Sequence, residues 1–213
     1  MFVKWRMTAQ PYTIGPDATV PEAVELMRTK QVRKLPVIHE GRLIGVISQS
    51  DIDRASPSVA TSFSAGEVAY LIGRLKVARV MSRNPVTIDS EALLEQAAIL
   101  MRAHKVEMLP VMTGNRLVGV ITESDLLEAF IDLNGARDHG SRLVIDAEDS
   151  PGVLAKLTSI TAEAATNITH VAVYRGQHDR SIVVLGINTF NTERLEEQLT
   201  AAGFTIKRRL LND

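Results

Sequence analysis

The chain contains no cysteine. That excludes disulfides, thiolate metal sites and cysteine nucleophiles, and makes a reducing cytoplasm the default expectation for location. Aromatic residues make up only 4% of the 213, too few for the stacking platforms that hold single-stranded nucleic acid. Neither charge dominates: 24 Lys and Arg face 25 Asp and Glu, for a net charge of −1. No basic field therefore points to nucleic acid as a partner. No apolar run approaches the ~20 residues that span a bilayer, and Met1-Phe2-Val3-Lys4-Trp5-Arg6 lacks a long apolar signal core. What is present is ordinary globular composition, 45% hydrophobic and 23% charged, in a length that suits two compact domains or three small ones.

Within it one stretch occurs twice. Gly45-Val46-Ile47-Ser48-Gln49-Ser50-Asp51 returns as Gly119-Val120-Ile121-Thr122-Glu123-Ser124-Asp125, an offset of 119 − 45 = 74 residues. At that offset, ungapped, Met7–Arg54 and Met81–Glu128 are identical at 20 of 48 positions. Unrelated segments match at roughly one position in twenty, so this is an internal duplication. Each copy reads as an apolar strand running into a polar turn and a helix start.

The elements follow from pattern. In the first copy, Thr19 and Glu22 have capping-box spacing, and Val20, Ala23, Val24 and Met27 repeat at helical intervals, so a helix spans about 19–30. Leu35–Ile38 and Leu43–Ile47 read as strands about the turn at Glu40-Gly41, and a short helix runs from Ser50 to before Pro57. A polar connection at 55–64 leads to a second capping-box spacing, Ser64 to Glu67, and a connecting helix near 65–76. The second copy repeats the plan: Val86–Ile88 extended, a helix marked by Leu93, Ala97, Leu100 and Met101, strands at Leu109–Met112 and Leu117–Ile121, and a longer helix with Leu126, Leu127, Phe130 and Ile131 as its buried face, stopped by Asn134-Gly135. After a linker at Ala136–Gly140 the order becomes strand, helix, strand, strand, helix, strand. That is the ferredoxin-like βαββαβ plan, with Ser150 capping and Pro151 opening its first helix.

The repeated hydroxyl and acid, Ser48/Asp51 and Thr122/Asp125, carry two readings. As helix caps they contribute about 1 kcal/mol each and nothing further is required of them. As a ligand site, the free N–H groups of a helix start favour phosphate and a carboxylate accepts ribose hydroxyls. The duplication, the Leu-Pro-Val strand about a dozen residues before each motif, and the Met, Pro, Thr-Ile opening of each half together resemble the tandem CBS-domain (Bateman) module over about residues 1–134. The resemblance implies two αβ repeats, 1–76 with the connecting helix and 77–135, enclosing two clefts that bind adenosine compounds: AMP, ADP, ATP or S-adenosylmethionine. It further implies that Ser48, Asp51, Thr122 and Asp125 hold ribose and phosphate, that Val86 with Thr87 and Tyr12 with Thr13 lie at the base, and that the residues before each Leu-Pro strand line the cleft. Those are Arg33-Lys34 in one copy and Glu107-Met108 in the other. The expectation is a competent cleft containing Ser48, Asp51, Arg33 and Lys34, and an altered one containing Thr122, Asp125 and Glu107.

Residues 141–213 resemble an ACT domain, on Asp149-Ser150-Pro151-Gly152-Val153-Leu154 between the first strand and helix and Asn167-Ile168 before the second strand. The resemblance implies side-by-side pairing into a homodimer, and an amino-acid effector site at Asp149, Gly152, Val153, Leu154 and Asn167. Pairing without a bound amino acid is the preferred reading. The fold class expected is α/β (α+β): a tandem CBS pair plus a ferredoxin-like ACT domain. The whole order, with Ala55-Ser56-Pro57-Ser58 and Asn134-Gly135-Ala136, resembles the acetoin utilisation protein B family.

Enzyme signatures do not occur: no Gly-x-Gly-x-x-Gly after a strand, no phosphate-loop Gly-Lys-Ser/Thr, no Gly-x-Ser-x-Gly. His39, His104, His139, His170 and His178 have no paired metal-ligand spacing. The expectation is a regulatory protein without a catalytic cofactor or metal, with an adenine nucleotide as regulatory ligand and an unidentified protein target. The alternatives are an enzyme of acetoin metabolism with an unrecognised site, and a structural dimer with empty clefts.

Overall fold

The computed structural model describes residues 1–55, 73–176 and 179–212. Contacts divide the chain into two compact units, Met1–Leu126 and Leu127–Asp213. Most of the connecting helix expected near 65–76 falls outside the described residues.

The first unit is built by exchange between the duplicated halves. The first half supplies β1 (Thr8–Ala9), α1 (Val20–Lys30), β2 (Lys34–His39), β3 (Arg42–Ser48) and α2 (Gln49–Ala55). The second supplies α3 (Val77–Val80), β4 (Ser82–Arg83), β5 (Ile88–Asp89), α4 (Leu94–His104), β6 (Met108–Thr113), β7 (Arg116–Thr122) and the start of α5 (Glu123–Leu133). β1 pairs antiparallel with β7 of the other half, and β4 with β3. The exchange begins further upstream: the Val3 N–H donates to Ala92 O, and its counterpart Val77 N–H donates to Ala18 O, each at 2.8 Å. Each sheet is therefore completed by the leading segment of the opposite repeat.

Local chemistry sets the elements. Thr19 and Glu22 form the expected capping box: the Glu22 N–H donates to Thr19 Oγ1 at 3.4 Å and the Thr19 N–H to Glu22 Oε2 at 2.6 Å. Ile14 and Ile88 both bridge in parallel to the valine of a Leu-Pro-Val strand, Val37 and Val111. The buried residues recur at the offset of 74: Ala23 and Ala97, Met27 and Met101, Leu35 and Leu109, Val37 and Val111, Ile47 and Ile121. Only one face of β3 is fully buried, through Gly45 and Ile47, while Ile44 and Val46 are half-covered.

The stripe expected on α5 behaves differently. Ala129 is buried and Leu126 and Ile131 are half-buried, but Leu127 and Phe130 are 61% and 59% exposed. Helical spacing of apolar residues shows that a face favours cover, not that the same chain provides it. At the C-terminus, Gly135 (φ 59°) stops the helix as expected, with the Ala136 N–H donating to Ile131 O.

The second unit contains β8 (Gly140–Glu148), α6 (Val153–Glu163), β9 (Ile168–Arg175), β10 (Arg180–Ile187), α7 (Glu193–Ala201) and β11 (Thr205–Asn212). The antiparallel sheet order is β11-β8-β10-β9, the ferredoxin-like arrangement. Leu143, Ile145, Leu157, Leu185, Ile187, Leu195 and Leu199 form its core. α6 begins later than expected. Ser150–Val153 is a type II turn, with Pro151 at its second position, Gly152 at φ 91° and ψ −12°, and the Val153 N–H donating to Ser150 O. The positive φ takes Gly152 out of the helix, so Ser150 is not its cap.

Candidate functional site

Both repeated motifs close as capping boxes. The Asp51 carboxylate accepts from Ser48 N–H at 2.9 Å and Ser48 Oγ at 2.5 Å, and Asp51 N–H donates to Ser48 Oγ at 3.2 Å. Thr122 and Asp125 repeat this at 2.8, 2.7 and 3.3 Å. A further backbone bond ties each helix start to the residue before the Leu-Pro strand: Gln49 N–H to Arg33 O, and Glu123 N–H to Glu107 O. The strand and the helix start are thereby fixed as one corner.

A cavity of about 670 Å³ lies in the first unit. The segment Thr8–Tyr12 lines one side, Gln31–Lys34 with Pro36 another, Glu107-Met108 a third, and Val120 with Thr122–Ser124 the last. Of the residues singled out from sequence, Tyr12, Arg33, Lys34, Glu107, Met108 and Thr122 lie on its wall. Asp125 stands one residue beyond, half-buried behind Thr122. Ser48, Asp51, Thr13 and Val86 are not wall residues, and Thr87 lies on a separate shallow depression with Ile88, Asp89 and Gln96.

The grouping of charges differs from the sequence expectation. Arg33 and Lys34 line the cavity that contains Thr122, not one shared with Ser48 and Asp51. Although Lys34 is paired with Ser48 on the β2–β3 ladder, its long side chain crosses to the other repeat and its Nζ reaches Glu107 Oε2 at 2.7 Å. Adjacent positions of the two copies therefore meet, and the Glu107 carboxylate is paired with the Lys34 cation. Lys34, hydrogen-bonded to it, holds the Glu107 carboxyl below the ordinary carboxylate value, and Arg33 acts in the same direction. Tyr12 is 49% exposed, and Lys30 Nζ sits 4.9 Å from its ring centroid, a cation over one aromatic face.

Sequence reasoning missed Gln10, Gln31, Glu123 and Ser124 as wall residues. Gln10 and Gln31 share positive φ values, 50° and 53°, and each stands just past the end of its element, β1 and α1.

In the second unit, Asp149 is exposed, its N–H donates to Asp179 O, and its carboxylate lies 3.8 Å from Arg175. Gly152 has open space where a Cβ would stand, Val153 is half-buried and Leu154 is 46% exposed. Asn167 exchanges two hydrogen bonds with Asn188: its N–H donates to Asn188 Oδ1 and its C=O accepts from Asn188 N–H. Among the described residues no helix is long and apolar enough to cross a membrane.

The CBS domain family matches residues 3–58 and 77–132, and the TTHA0829-like ACT domain family matches 139–208. A CBS domain-containing protein of Dictyostelium discoideum is 33% identical over 133 residues, 62% of this chain and 92% of that protein. A Vibrio cholerae protein described as an acetoin utilization protein (AcuB) superposes with a TM-score of 0.52 at 30% identity, over 62% of this chain and 92% of its own. CBSX2, solved in complex with AMP, gives 0.51 at 30% identity, over 62% and 97%. The inosine-5'-monophosphate dehydrogenase of Methanocaldococcus jannaschii is 33% identical over 141 residues, but the chain spans only 25% of that enzyme. With its duplicated half matched through both repeats and the remainder matched separately, this chain belongs to the CBS-domain family, as a tandem CBS pair followed by an ACT domain.

Proposed function

We propose that this protein is a regulatory sensor that binds an adenine nucleotide of the AMP/ADP/ATP class in the 670 Å³ cavity and relays binding through a pairing ACT domain. The observation that carries this reading is that two cations from one repeat, Arg33 and Lys34, line the same cavity as the hydroxyl-started helix of the other. Thr122 and Asp125 address the ribose, the free face of Tyr12 accepts the base, and Arg33 with Lys34 meets phosphate. AMP bound to CBSX2 is consistent with this chemistry. Arg33 and Lys34 against Glu107 and Glu123 leave no net charge on the cavity wall, which suits one phosphate better than three. α5, whose first residues line the cavity, continues into the second unit and is the covalent route for a signal. A ligand shifts such an equilibrium only by its difference in affinity for the two states. The AcuB likeness makes acetoin breakdown the process to examine for a protein target.

Titration calorimetry with AMP and ATP tests the reading. Wild type binds AMP more tightly than ATP. Asp125→Ala weakens AMP binding about 30- to 100-fold, as expected for losing hydrogen bonds to a charged acceptor, and Arg33→Ala weakens it about tenfold. Glu107→Gln narrows the gap between ATP and AMP, because it removes an anion that opposes additional phosphates. An Asp125→Ala protein with wild-type affinity would refute the assignment of this cavity.

A further inference from the structure

The two capping boxes look alike, but their acids differ in remaining acceptor capacity. An ionised carboxylate offers about four lone-pair sites. On Asp51 all four are taken: Ser48 N–H and Ser48 Oγ donate to Oδ2, while Arg54 donates to Oδ1 at 2.5 Å and Ser82 Oγ at 3.3 Å. Asp51 is 7% exposed. On Asp125 the same two bonds engage Oδ2, and Oδ1 has no protein hydrogen bond among the described residues. The reason is legible in the duplication. Arg54 has Glu128 as its counterpart, an anion that cannot donate and that is bound instead by Arg137 at 2.7 Å. Ser82 has Thr8 as its counterpart, which lies on the cavity wall.

We infer that the chain binds one nucleotide, at Asp125, because Arg54 occupies in the first repeat the carboxylate edge that a ribose diol would need. This rests on the nucleotide reading above and adds which of the two pseudo-equivalent acids is open. A 2′,3′-diol carries two hydroxyl donors, matching the two free sites on Asp125 Oδ1. At Asp51 it would have to displace a guanidinium, which is ion-paired with the carboxylate as well as hydrogen-bonded to it, and offer an uncharged hydroxyl donor in its place.

The test is binding stoichiometry by calorimetry with AMP. Wild type is expected to bind one AMP per chain. Arg54→Ala is expected to bind two, the second site being abolished again in Arg54→Ala/Asp51→Ala. Arg54 is 75% exposed, so its removal leaves the core untouched. The converse variant, Glu128→Arg, places a guanidinium beside Asp125 and is expected to lower affinity at least tenfold. Two AMP per wild-type chain, one per chain in Arg54→Ala, or an unchanged affinity in Glu128→Arg would each overturn the assignment of Arg54. No AMP binding in wild type or Arg54→Ala would overturn the nucleotide reading itself, and this inference with it.

Discussion

Gly186→Ala is expected to destabilise the second unit by about 3 kcal/mol, the upper range for forcing a methyl group into a filled space, and to lower its melting temperature by roughly 12–24 °C. Gly186 sits on β10 directly between Arg142 on β8 and His170 on β9. The His170 ring occupies the volume an added Cβ would need. The ring has little room to step aside, because it also packs against Gly135, where an added Cβ would meet the same imidazole. The side chain of His170 is 8% exposed, with Nδ1 3.5 Å from Asp138 Oδ2 and 3.1 Å from Thr169 Oγ1. Hydrogen exchange of β8–β10 peptides would locate the loss. The double variant His170→Ala/Gly186→Ala should cost clearly less than the sum of the single changes, because the clash requires both partners. Additive costs would show that the ring does not fill this space.

The same ring gives stability a pH dependence of known sign. Burial, then the nearby Arg142 charge, lower the His170 pKa from its ordinary 6.5 against the opposing pull of Asp138. A His whose folded value is depressed binds its proton more readily in the unfolded chain. Its stabilisation is therefore complete above pH 6.5 and is lost as pH falls from there towards the folded value. His170→Ala should flatten that part of the stability curve.

How much of this was legible in residues alone depended on whether the information was local or repeated. Thr19 and Glu22, Gly135 and the alternation of the second sheet act within a few residues, so spacing sufficed for α1, the end of α5 and the strand order. The duplication exposed the shared core, because Ala23, Met27, Leu35, Val37 and Ile47 return 74 residues later. Strand exchange was not legible. A two-residue strand such as Thr8–Ala9 has no periodicity to read, and its partner Val120 lies 112 positions away. For that reason position in the chain groups Arg33 and Lys34 with Ser48: ladder pairing does put Lys34 opposite Ser48, but a four-carbon stem carries its charge across to Glu107. The Arg54 and Glu128 contrast was visible in the alignment of the two copies. What it meant required knowing that an i, i+3 guanidinium folds back onto the acid. The start of α6 differs from the expectation because Ser-Pro-Gly serves equally as a helix cap and as a type II turn.

Gly45→Ala and Gly119→Ala are expected to separate stability from binding, because the same motif glycine serves two different sheets. A Cβ at Gly45 would lie 2.7 Å from Met81 Sδ and 2.8 Å from Ser82 O; one at Gly119 would lie 2.5 Å from Met7 Sδ and 3.0 Å from Thr8 O. A thioether can rotate away at modest cost. The carbonyls cannot, because they belong to β4 and β1, the strands donated by the opposite repeat. Relief therefore requires opening the exchange that completes each sheet, at about 3 kcal/mol for Gly45→Ala and about 2 for Gly119→Ala, within the range for overpacked positions. The consequences for ligand diverge. β1 and the residues after it, Thr8–Tyr12, line the cavity, while β4 does not. Gly119→Ala should weaken AMP about tenfold even where the protein is fully folded, whereas folded Gly45→Ala should retain affinity within about twofold. Denaturant melts read beside calorimetry decide it: wild-type stability in both variants would mean that the exchanged strands are not locked by these glycines, and equal losses of affinity would mean that the cavity does not depend on β1.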